Sequence, residues 1–333
     1  MAHNLEQRDG QASMFYTGDV PWHQLGRHLN KPATAAEAME AARLGYTVVK
    51  RPMKAVINGR QYSEVPNAFA TIRTDTNQVL GVVGARYEPV QNRDAFNFFD
   101  PLVDRGESIY HTAGVLGRGE KIWLLAKLPD FIKVGKKNDP VEKFVLLYNS
   151  HDGSSHIRVK MTPIRVVCNN TLTTALSGTE AEVRIKHTQS AQDKLQEAHQ
   201  ILGLTNSLYQ QLDYIFNRMA LRKVTSQQLV DYVKTLVPDN PNAENNTRTE
   251  NMRNHILYLH DEVKDAAMHR GNLFGAYNAV TEFVDHYGSQ KCMSSEPFGQ
   301  KVPFAKRRFE LLVVINCTAF VFSESSASAI LFV

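Results

Sequence analysis

Residues 121–128, KIWLLAKL, and 143–149, KFVLLYN, decide the fold. Each carries a nearly continuous apolar run, Ile122-Trp123-Leu124-Leu125 in the first and Phe144-Val145-Leu146-Leu147 in the second. Such runs suit central strands covered on both faces. Ile109–Val115 and His156–Thr162 read as their neighbours on either side. The connection Lys133-Val134-Gly135-Lys136-Lys137-Asn138 is a basic loop.

Upstream, Thr34 is placed to cap a helix over AAEAMEAARL, with Gly45 as its end. Strand-like runs follow at Tyr46–Lys50 and Met53–Ile57. Asn58-Gly59 is a strong hairpin signal, because both residues tolerate positive φ. Gln61–Val65, Ala68–Arg73 and Val79–Val83 continue the strand pattern, and Asn92 is placed to cap a helix with Phe96 and Phe99 on its apolar face.

After Thr188 the period changes. Leu195, Ala198, Leu202, Tyr209, Leu212, Phe216 and Met219 recur at helical spacing between Gln189 and Lys223. Thr225 caps a second helix ending at Val237, PDNPNAENNT (238–247) reads as a linker, and two more helices are expected over about 248–269 and 272–287. The expected fold is therefore α+β: an antiparallel, β-rich N-terminal half with crossing helices (1–187), then a helical C-terminal region (188–312). Residues 313–333 form an atypical apolar tail. From Glu310 to Val333 only Glu310 and Glu324 are charged.

Composition narrows the function classes. With 43% apolar and 22% charged residues among 333, the chain has a globular composition. Cys168, Cys292 and Cys317 form no C-x-x-C pair, which excludes a disulfide scaffold and a four-cysteine zinc site. The polar start MAHNLEQRDGQ is no secretory signal, and no apolar run is long enough for a spanning helix. A cytoplasmic protein with no membrane association is expected. Residues 1–187 carry 24 basic and 19 acidic side chains, so an anionic partner is sought there.

The segment 149–176, NSHDGSSHIRVKMTPIRVVCNNTLTTAL, is the most distinctive. Arg158 and Lys160 are two apart, so on a strand they share a face. With Arg165 they are the basic groups between Gly153 and Thr179, where no acid occurs. A cationic stripe among Ser, Thr and Asn suits phosphate contact; the alternative is a solvated strand face. Lys136, Lys137, Arg184 and Lys186 are secondary candidates. Gly81-Val-Val-Gly84-Ala-Arg86-Tyr87 lacks dinucleotide-fingerprint spacing, but Arg86 and Tyr87 offer a cation and a stacking ring. His151-Asp152 invites a metal-dependent hydrolase or nuclease reading, with His156 as the nearest partner; a turn is the plainer account. Cys168 beside Arg165 reads as a buried thiol rather than a nucleophile. No metal site, cofactor motif or catalytic residue is expected.

VPWHQLG (20–26), GARYEPVQNRDAFNFFD (84–100), LLYNSHDGSS (146–155), MTPIRVVCNNTL (161–172) and GNLFGAYNAVTEFVDH (271–286) resemble a family of phage/plasmid-like proteins of unknown function. The resemblance covers about residues 10–312. It implies a mobile-element origin and a bacterial host cytoplasm, and supplies no catalytic residues. In outline, a basic β-rich half followed by helices is also similar to phage single-strand annealing proteins, an analogy of fold alone. The expected function is binding of single-stranded nucleic acid, DNA above all, in recombination or replication, with a homo-oligomer as the working form. The alternatives are an interaction protein that inhibits a host defence factor, and the hydrolase or nuclease on His151 and Asp152.

Overall fold

The computed structural model describes residues 3–57, 59, 61–136, 138–176, 182–191, 193–195, 206–239, 246–262, 269–283 and 287. Strands dominate the N-terminal half, and helices are mostly in the C-terminal region. The strands are β1 (Gln7–Arg8), β2 (Gln11–Ala12), β3 (Met14–Tyr16), β4 (Arg27–His28), β5 (Val48–Ile57), β6 (Gln61–Arg73), β7 (Val79–Val83), β8 (Ile109–Leu116), β9 (Lys121–Val134), β10 (Asp139–Ser150), β11 (Ile157–Thr162) and β12 (Glu182–Ile185). The helices are α1 (Ala35–Ala41), α2 (Asn92–Asp104), α3 (Asn169–Leu176), α4 (Asn206–Leu221), α5 (Ser226–Leu236), α6 (Thr247–Glu262) and α7 (Leu273–Glu282).

Among the described residues the main sheet has seven strands in the order β12-β11-β10-β9-β8-β3-β4. Neighbours are antiparallel except the short pair β3 and β4. The two apolar runs lie at its centre, with Leu146 opposite Leu125 and Leu147 opposite Leu124. Alternation divides β9 between two cores. Ile122, Leu124 and Ala126 face α1 and α2, whereas Trp123 and Leu125 face the N-terminal segment and α3. Gly114 lies against the Trp123 indole: a Cβ there would sit 2.2 Å from Cη2, so only glycine fits. Leu212, Phe216, Met219, Phe274 and Tyr277 of the helical region share the first core with the sheet. Leu229, Val233, Ile256, Leu259 and Val280 build a separate helical core.

Boundaries differ from expectation where tertiary pairing overrides local signals. Thr34 caps α1 in a capping box with Glu37, but the helix ends early: Arg43 takes the left-handed conformation (φ 55°), not Gly45. Helix α2 starts from Gln91, whose amide bridges both backbone groups of Val48. The strands on either side of Pro52, and those on either side of Pro66, each merge into one. The β5–β6 register jumps from Lys54–Glu64 to Pro52–Phe69, which leaves Pro66 in a bulge where no ladder amide is needed. Strands β9 and β10 run on to the 135–138 turn. Thr225 and Asn272 cap α5 and α7. Asn58, Lys137, much of 189–205 and the tail 313–333 lie outside the described residues. No described helix is long and apolar enough to cross a membrane.

Candidate nucleic-acid interface

Two of the sequence-selected residues, Arg86 and Tyr87, lie at one rim of the main sheet, on a turn packed against His187, just past the edge strand β12 that carries Arg184 and leads into Lys186. The 84–87 turn is held from below by Lys50, whose ammonium donates to the carbonyls of Ala85 (2.9 Å) and Tyr87 (2.6 Å) and pairs with Glu88. Asn67 accepts the Ala85 amide through its side chain. The Glu88 amide then donates to the His187 carbonyl at 3.1 Å, which lays this turn along residues 186–188. Arg86 and Lys186 are exposed, and neither has an acidic partner among the described residues. Arg184 is exposed and bonds Glu182 at 3.0 Å.

Tyr87 is committed within this rim. Its ring lies flat on His187, with centroids 4.7 Å apart, and its hydroxyl donates to the Ser150 carbonyl. Burial pushes the phenol pKa up. Gly81 serves packing: a Cβ there would meet the Asp152 backbone at 2.5 Å.

Below the rim, two asparagines fix two buried histidines. Asn92 Nδ2 donates to the Leu44 and Tyr46 carbonyls, so its Oδ1 accepts from His151 Nε2 at 2.8 Å. Asn149 Nδ2 donates to the Val90 carbonyl, and its Oδ1 accepts from His187 Nε2 at 2.8 Å. Each histidine therefore carries its proton on Nε2. Burial, reinforced by His187, pushes His151 down to about 3, and burial with His156 pushes His187 down to about 4. His151 is fully enclosed and its Nδ1 has no partner among the described residues. The Asp152 carboxylate closes a turn, accepting from Ser150 Oγ at 2.5 Å and from the Ser154 amide at 2.9 Å. His156 is exposed. No group of three or more His, Cys, Asp or Glu suited to a metal occurs among the described residues.

Arg158 and Lys160 do share a face of β11, opposite the core residues Ile157, Val159 and Met161. That face is covered. Arg158 makes a two-point contact with the buried Glu182 and donates to the Leu176 carbonyl, at the end of α3. Burial raises the Glu182 pKa, but hydrogen bonds from Arg158 and Arg184 outweigh it and hold the carboxyl below its usual range. Lys160 is buried, opposite Leu146 on one side and Glu182 on the other. Arg165 donates through Nη2 to the Thr17 and Asp19 carbonyls at 3.0 and 2.6 Å. Cys168 is buried beside Thr171.

Lys136 is exposed at the β9–β10 turn, among other cations and rings. Lys133 lies 5.7 Å over Phe131, and Arg218 lies 5.5 Å over Tyr214. Asn217 of α4 fixes this tip, accepting the Gly135 amide and donating to the Lys133 carbonyl. The rim and the tip flank opposite ends of β10, whose 12 residues span roughly 40 Å. Sequence reasoning missed Glu182, Lys50 and the histidine-holding asparagines. Their roles depend on strand register, which no local pattern encodes.

No curated protein and no solved structure matches the chain. The family described as Domain of unknown function (DUF932) matches residues 79–307, a span that contains both the rim and the tip, and the chain belongs to that family.

Proposed function

We propose that this protein binds single-stranded nucleic acid, DNA above all, along a path that starts at the Arg86–Arg184–Lys186 rim. The observation that carries the reading is that Arg86 and Lys186, two exposed cations without acidic partners among the described residues, sit on distant segments that the Glu88–His187 hydrogen bond joins at one sheet edge. Phosphate binding needs such unpaired cations, because their counterions are what association releases. Lys136 and the cation–ring pairs at the tip supply further contacts, since stacking on exposed rings is tolerant of sequence. In this reading Arg158, Lys160 and Arg165 act from beneath the surface by holding β11 and its neighbours in place. A role in recombination or replication, as a homo-oligomer, belongs to the same proposal; the resemblance to phage/plasmid-like proteins supports a mobile-element setting in a bacterial cytoplasm.

The test is fluorescence anisotropy with a labelled single-stranded oligonucleotide at low salt. Saturable binding that weakens in Arg86→Ala/Lys186→Ala supports the reading. Absence of binding at low salt removes it.

A second reading, an interaction protein that inhibits a host defence factor, draws on the β5–β6 hairpin. Val56 and Tyr62 face each other across that hairpin and are 59% and 67% exposed. It predicts salt-insensitive capture of one host protein that is lost in Val56→Ser/Tyr62→Ser.

A further inference from the structure

A cavity of about 430 Å³ opens where the N-terminal segment, the residues after β11, and helices α4 and α7 meet. That volume lies within the range of small-ligand sites. Its apolar wall is aromatic: Trp22 stands on the N-terminal side, and Phe274 and Tyr277 lie near-parallel on α7. Its polar lining includes Arg165, Asn278 and Thr281.

Arg165 makes this cavity more than a packing gap. Its guanidinium is held by two backbone carbonyls, and no carboxylate lies within ion-pair distance among the described residues. Its Nε is buried with no partner among the described residues. Asp19 and Glu142 are near enough to favour the charge, but burial outweighs them. A part-buried cation that lacks a counterion calls for an anion. The Asn278 amide offers a donor and an acceptor together, which suits the edge of a heteroaromatic ring better than a plain hydrocarbon.

We infer that this cavity binds a mononucleotide, with its base against Trp22, Phe274 and Tyr277, its base edge toward Asn278 and its phosphate toward Arg165. The site is separate from the rim and does not rest on the nucleic-acid reading.

Isothermal titration calorimetry on the full chain tests it with deoxyadenosine monophosphate, deoxyadenosine and inorganic phosphate. The monophosphate is expected to bind, with the nucleoside and phosphate at least about tenfold weaker, since each lacks one half of the recognition. Arg165→Gln should lose at least about tenfold in affinity. Because Arg165 also holds two carbonyls, Asn278→Trp serves as a second variant that fills the cavity and leaves the arginine in place; it should abolish binding. Arg86→Ala/Lys186→Ala should bind the monophosphate unchanged. The inference is overturned if millimolar monophosphate gives no heat, if phosphate alone binds as tightly, if both cavity variants bind normally, or if the rim variant removes binding.

Discussion

Tyr87 and His187, a hundred residues apart in sequence, stack with their rings 4.7 Å apart and inclined by 18°. This contact joins the turn bearing Arg86 to the strand end bearing Lys186. Removing it should separate the two cations. Tyr87→Phe keeps the ring and loses the bond to Ser150, at a cost of about 1 kcal/mol. Tyr87→Ala loses ring burial as well and should cost about 3–4 kcal/mol. Urea denaturation of the two variants measures both values. Equal, negligible losses would mean that the stack does not hold the rim.

Glu182 is the counterion that the edge strand brings to Arg158. Glu182→Gln leaves a part-buried guanidinium without its charge partner, and the expected loss is about 3 kcal/mol. Arg184→Ala removes the exposed partner of the same carboxylate and should cost less than about 1 kcal/mol. A chemical-denaturation comparison would show the asymmetry; similar losses would place the main ion pair at Arg184.

Acid should unfold this protein through its buried histidines. His111, His151 and His187 are held neutral by burial, at about 3, 3 and 4. A pKa depressed in the folded chain means that the unfolded chain binds more protons. Stability is thus fully present above the ordinary histidine value of about 6.5, and is lost as pH falls from there toward 4 and below. The carboxyls of Asp75, Asp152 and Glu182, held low, add to the loss in the lower part of that window. Melting temperature followed from about pH 8 down to pH 4 should be flat at first and then fall. His187→Gln should reduce the slope below about pH 6.5 by part of its value. A melting temperature that is constant to about pH 5 would contradict the neutral assignment.

Gly114→Ala inserts a methyl against the Trp123 ring, whose indole also donates to Thr112 at 3.2 Å. Two adjacent central strands must then shift. A loss of about 2–3 kcal/mol is expected, with the Trp123 fluorescence spectrum changed. Wild-type stability would show that the core around Trp123 is loosely packed.

The central strands were legible because their apolar runs are long and uninterrupted, and the caps at Thr34 and Thr225 because their chemistry is local. The shared face of Arg158 and Lys160 followed from strand period alone. What covers that face was not legible. Glu182 reaches Arg158 only because β12 returns antiparallel to β11, and α3 follows β11 closely in sequence but declares no orientation. The strand runs stop short at 51–52 and at 66–67, where Pro52 and Pro66 lie, because a bulge that carries a strand past a proline is set by the partner's register. The rim was visible only as separate residues; the Glu88–His187 hydrogen bond and the Tyr87–His187 stack join the two segments that carry them.

The central claim concerns the rim, and its most direct test is the salt dependence of oligonucleotide binding. If Arg86 and Lys186 each neutralise one phosphate, they contribute about −1.4 to the slope of log K against log salt for a single strand. Arg86→Ala/Lys186→Ala should make that slope shallower by about 1.4 and weaken binding most at low salt. An unchanged slope in the double variant, with oligonucleotide still bound, would contradict the account and place the strand elsewhere on the protein.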